Sequence, residues 1–151
     1  MTNKRLAATV IVALVVSEIL ATVVHGFVLA SDYGPFYGRL LRSEPGAPML
    51  LLPVAHLSFV AALVWVFSRV DLQGGVFAQG LKLGVIGWLI GQAPLWLLWY
   101  AEQPWPGTLV LKQLLLELIS SLIVGATIVA VSGKRQLKAR PQGVVRAASS
   151  R

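Results

Sequence analysis

The chain has no cysteine. That excludes disulfides, thiolate metal sites and dithiol redox chemistry, and leaves the cellular compartment open. Charge is also scarce. Only 13% of residues are Asp, Glu, Lys or Arg, against about 25% in an average soluble domain. The familiar local motifs of enzymes are missing as well: no GxSxG, no Walker A, no GxGxxG, no HExxH and no acidic metal loop. Nothing in the sequence therefore favours an enzyme.

What is present is apolar surface. Hydrophobic residues make up 56% of the 151, and they fall in long runs. A helix crossing a bilayer needs roughly 20 such residues. Four segments qualify, at 6–30, 49–70, 76–100 and 109–131. The first has Lys4 and Arg5 in front of it, as a signal peptide would. Its apolar part exceeds the usual 7–15 residues, so it reads as a retained span. The expected fold is all-α: an integral membrane four-helix bundle with antiparallel neighbours, in one domain over 1–131, followed by a basic cytoplasmic tail over 132–151.

Orientation follows from the basic residues. With the N-terminus inside, ten of the 13 fall on the cytoplasmic side: Lys4, Arg5, Arg69, Lys82 and the six of the tail. Arg39, Arg42 and Lys112 fall outside. Both termini are therefore expected in the cytoplasm, in a multi-pass protein of the inner (plasma) membrane. The net charge of +7 then serves topology and contact with anionic lipid. Nucleic acid is not an expected partner, because no other recognition sign accompanies the charge. Tyr33, Phe36, Tyr37, Trp96, Trp99, Tyr100 and Trp105 gather at the expected outer boundary, where such rings act as interfacial anchors.

Polar residues inside the spans are the candidates for function. Glu18 and His25 lie seven residues apart, on one helical face, with Thr22 between them. Gln113, Glu117, Ser120 and Ser121 form a matching stripe on the fourth span. Counting ~1.5 Å per residue from each outer end puts Gln113, His25, His56, Gln92 and Glu117 about 6–12 Å deep, and Glu18 about 18 Å deep. Each span thus brings a polar group into the outer half. Turned inward, these groups avoid lipid and satisfy one another.

Several chemistries suit such a layer. Two histidines and a carboxylate fit zinc or non-haem iron, and two histidines at similar depth fit the axial positions of haem. His25 and His56 are the candidate ligands, and the identity of any metal is unknown. A Glu–His pair can also carry a proton for solute transport, or it can simply fix helix register. A homo-oligomer or a membrane partner protein suits a bundle this small. On the third span, Gly80, Gly84, Gly87 and Gly91 form a stripe of small residues of the kind that lets helices pack closely. Pro94 is expected to kink the same span.

Glu18, His25 and Gly26, followed by Tyr33, then Gly80, Lys82 and Gly84, then Glu117 and Gly125, resemble a pattern in small bacterial four-span membrane proteins. The resemblance covers about residues 5–131 and implies the fold, with no activity attached. "PLWLLWY" at 94–100 is also similar to a stretch of the tryptophan-rich sensory membrane proteins that bind porphyrins. Those have five spans and this chain has four. The expected function is that of a small accessory or binding membrane protein with a buried His/Glu/Gln layer. A transporter-like or metal- or haem-binding role is the alternative.

Topology can be checked directly. Reporter fusions at the C-terminus should read cytoplasmic, and fusions near Pro45 should read periplasmic. A periplasmic C-terminus would remove the four-span arrangement or its orientation.

Overall fold

The computed structural model describes residues 3–42 and 46–133. The basic residues of the tail from 134 onward, and the loop position Pro45, lie outside the described residues.

Every ordered element longer than an isolated bridge is helical among the described residues. In a bilayer, each backbone N–H and C=O must be satisfied within its own segment, so apolar runs of this length fold as helices. Helix α1 covers Asn3–Val23 and continues through a π-helical turn, Val24–Val28. A short α2, Ala30–Tyr33, follows. Helix α3 covers Leu51–Arg69, α4 Val76–Gly87, α5 Ala93–Glu102 and α6 Gly107–Ser132. A second π-helical turn, Trp88–Gln92, joins α4 to α5. Four helical stretches are long and apolar enough to cross a membrane: Asn3–Val28, Pro48–Arg69, Val76–Glu102 and Gly107–Ser132.

The helix ends follow from local chemistry. Pro106 precedes the first residue of α6 in an extended conformation, and Gly133 ends that helix at φ +70°. Few residues other than glycine tolerate that backbone angle. Pro94 lacks an N–H, and the π-helical turn just before it takes up the distortion that proline imposes. Between α2 and α3, the loop folds tightly on itself, with Gly38 donating to the Leu41 carbonyl at 2.8 Å.

Side chains build two separate apolar clusters. One holds Ala13, Val60, Leu63, Val64, Phe67, Leu83, Val124, Ile128 and Val129. The other holds Val24, Leu29, Tyr33, Trp105, Leu109 and Val110. Along α6, Gln113, Glu117 and Ser121 fall between the residues of the two clusters. Tyr33 and Trp105, expected as interfacial anchors, are instead core residues. Trp105 is 4% exposed, and its indole N–H is satisfied locally by Gln103 Oε1 at 2.9 Å.

The glycine stripe faces two neighbours rather than one. A Cβ on Gly80 would meet the Ala126 backbone, and one on Gly84 would lie 2.6 Å from both Leu122 Cα and Ser121 O. Gly125 of α6 presses into the same seam, against Gly80 and Gly84. Gly87 and Gly91 instead face Leu63 and Phe59 on α3. Backbone meets backbone between α4 and α6, whereas side chains fill the space towards α3.

The two halves of the stripe should therefore respond differently. Replacing Gly84 with Leu forces two helices apart and should cost at least about 1–3 kcal/mol. Replacing Gly87 with Ala asks only the Leu63 and Phe59 side chains to shift, and should cost less. Unfolding in mixed micelles measures both. Equal losses would contradict the backbone seam.

Candidate functional site

Both histidines find carboxylates, each on a different helix. His25 Nε2 lies 2.9 Å from Glu117 Oε1, joining the π-helical turn of the first span to α6. His56 Nδ1 lies 3.0 Å from Glu18 Oε1, joining α3 to α1. Glu18 and His25, expected on one face of the first span, do not pair with each other; each reaches a different helix. The histidines and carboxylates thus form two separate hydrogen-bonded pairs.

The depths expected for Glu18 and His56 differed by about 8 Å. Their contact removes that difference. The 3-10 turn Ala47–Leu50 extends the start of α3, and the first span ends at Val28. Both changes bring the two residues towards one level.

His25 owes its position to the π-helical turn. A wider turn carries one extra residue and re-aims the side chains that follow. Leu29 N–H closes it on Val24 O at 2.9 Å. Tyr33 then returns over His25, with the two rings stacked at 6.0 Å between centroids. The Tyr33 hydroxyl lies 2.8 Å from His25 Nδ1 and also receives the Gln113 side-chain amide. Just beyond, Lys112 and Asp32 close an ion pair at 2.8 Å.

Burial, and then the nearby Glu117 carboxylate, push the Tyr33 hydroxyl well above the usual phenol range. Tyr33 therefore keeps its proton. Because Gln113 Nε2 donates to the hydroxyl oxygen, the hydroxyl hydrogen is available to His25 Nδ1. An imidazole that accepts at Nδ1 carries its own hydrogen on Nε2 and donates it to Glu117. The chain Gln113, Tyr33, His25, Glu117 then has a single direction of donation.

Other candidates are less well satisfied. Gln92 lies in the second π-helical turn, and its Oε1 is buried without a hydrogen bond. Gln113 Oε1 and Ser121 Oγ are in the same condition. Trp88 donates its indole N–H to Leu114 O at 3.0 Å, fastening the second π-helical turn to α6. The two π-helical turns thus reach α6 within the span from Gln113 to Glu117.

A metal or haem meets a poor donor set at His25, because both ring nitrogens are already engaged. Among the described residues, no three His, Asp or Glu side chains converge on a possible metal position. What the arrangement can do is hold, orient and pass protons. Tyr33 is the site residue that the spacing of polar groups did not single out. Its signal in the sequence was a polar-tipped ring eight residues after His25, just beyond the span.

Tyr33→Phe leaves the buried Gln113 amide and His25 Nδ1 without a partner. Such a loss typically costs about 1–3 kcal/mol. Unfolding of the variant in mixed micelles should show it, and Tyr37→Phe on the exposed loop should show little. If the two variants match, the Tyr33 hydrogen bonds carry no weight.

The chain matches no protein-family model, no curated protein and no solved structure.

Proposed function

We propose that the chain is a small binding or accessory protein of the bacterial inner membrane, multi-pass, with both termini in the cytoplasm. Its His/Glu/Gln layer, in the outer half of an antiparallel bundle, engages a small molecule or a membrane partner, a second copy included. Two contacts support antiparallel neighbours. Thr9 lies 3.5 Å from Ser132 between their hydroxyls, and His25 lies beside Glu117. A step forward on α1 thus matches a step back on α6.

The observation that carries the binding role is the incomplete closure of the pairs. Side-chain exposure is 36% and 17% for His25 and Glu117, and 29% and 38% for His56 and Glu18. A charged group left to lipid near the middle of a span costs about 2.5–3.5 kcal/mol on insertion scales. A clasp that served register alone gains by enclosing its charges. These pairs keep part of their surface open, which suits a layer that meets something else.

Proton-coupled solute transport is the second reading, and the hydrogen-bonded chain favours it. A proton taken up at Glu117 turns the carboxylate into a carboxylic acid whose carbonyl oxygen still accepts from His25 Nε2, and its release restores the charge.

The test is native mass spectrometry of protein carried in nanodiscs. Wild type should retain a non-lipid mass or a partner chain. His25→Ala and His56→Ala should each lose it, and Glu18→Gln should alter the pH dependence of retention. If wild type carries only lipid, and the variants merely melt at lower temperature, the layer is structural and the proposal fails.

A further inference from the structure

The two ion pairs differ in what lies beyond them. Tyr33, a member of the second apolar cluster, stacks on His25, and the Glu117 side chain is 17% exposed against 38% for Glu18. Glu18 and His56 have no such cover among the described residues. Every residue of α3 and its lead-in turn from Pro48 to Ala55 is exposed, and burial on that helix begins only at Val60. On α1, Thr22 and Gly26 are exposed as well. A Cβ added to Gly26 would meet nothing nearer than the Thr22 methyl, at 3.9 Å. With neighbours antiparallel, as proposed above, these exposed stretches of the two spans lie beyond the Glu18–His56 pair, a parting of their covered surfaces.

We propose that this parting is a lateral cleft for a lipid-soluble molecule ending in a hydroxyl, with Glu18 and His56 as its head-group site. The inference rests on the reading of the polar layer as a binding site and names the class of molecule it takes. The cleft floor is the pair itself. One wall runs from Glu18 through Thr22 to Gly26, about 12 Å along the helix. The other carries Leu52 and Met49, both exposed. An apolar body fits such walls, and the bilayer delivers it sideways.

The head group follows from the free atoms. Glu18 Oε1 is engaged by His56 Nδ1, while Glu18 Oε2 and His56 Nε2 have no hydrogen bond among the described residues. Glu18 Oε2 accepts whether the pair is a carboxylate with neutral imidazole, a carboxylate with imidazolium, or a carboxylic acid donating to Nδ1. The bound group must therefore donate. His56 Nε2 carries a hydrogen in the last two arrangements and a lone pair in the first. A hydroxyl both donates and accepts, so it suits all three. An ether or a ketone can only accept, and leaves Oε2 unsatisfied in lipid.

Nonylphenol and its methyl ether differ by that one donor and serve as the probes. Saturable binding to the protein in nanodiscs is compared with empty discs, alongside thermal melting. Nonylphenol should bind about tenfold more tightly than the ether, as expected for a hydrogen bond to a charged group. Glu18→Leu, which removes the acceptor, should erase the preference. Gly26→Leu should block binding with the melting temperature retained, because its side chain enters open space. Equal binding of phenol and ether, or a preference that survives Glu18→Leu, would overturn the hydroxyl assignment. If a co-purifying molecule is lost in His56→Ala while nonylphenol fails to bind, the layer is a binding site and the hydroxyl class is wrong. If nothing binds or co-purifies, both readings fall. A stable dimer that Gly26→Leu disrupts would give the cleft to a second copy instead.

Discussion

A carboxylate inside a bilayer must find a hydrogen-bond donor on its own helix or on another one. In this chain the two carboxylates that lie away from the span ends, Glu18 and Glu117, find imidazoles on other helices. The rest of the bundle is arranged around that demand. α1 is tied to α3 by one pair and to α6 by the other, so the first span is the element that both pairs share. The apolar clusters lie to either side and cannot supply this specificity, because lipid tails are as apolar as the side chains they would exclude.

The α4–α6 seam holds the bundle by a different means. Gly80, Gly84 and Gly125 remove side chains where the helices meet, so backbones approach and dispersion contacts are dense. Trp88 adds one hydrogen bond across the same interface. Two modes of attachment therefore coexist: close backbone packing on one side of α6 and paired polar side chains on the other. The first is insensitive to protons, and the second contains titratable groups.

Much of this was legible in the sequence. The four apolar runs, the polar residues within them and the small-residue stripe are all one-dimensional signals, because helical periodicity turns spacing into a face. The partners of those faces were not legible. Glu18, Thr22 and His25 share a stripe, but nothing in their spacing shows that the stripe serves two different helices. The same holds for Gly80 and Gly84 against Gly87 and Gly91, which look like one surface and meet two. Tyr33 was read as an interfacial ring because it sits just past a span. The π-helical turn that folds it back over His25 leaves no simple residue signature. Depth was readable only to about a turn, since it is counted from span ends that local turns extend or shorten.

The π-helical turns also bear on how this sequence can change over time. Each is a place where the helix carries one residue more than a regular α-helix would need. Deleting a single residue near Val24–Val28 would restore the regular helix and leave the residues beyond it in phase, so that what changes is the aim of the turn's own side chains, His25 above all. The same holds at Trp88–Gln92 for Trp88 and Gln92. Point substitutions elsewhere in the spans can drift among apolar residues. In these two stretches it is the number of residues that matters, because each carries a residue of the polar layer, His25 or Gln92.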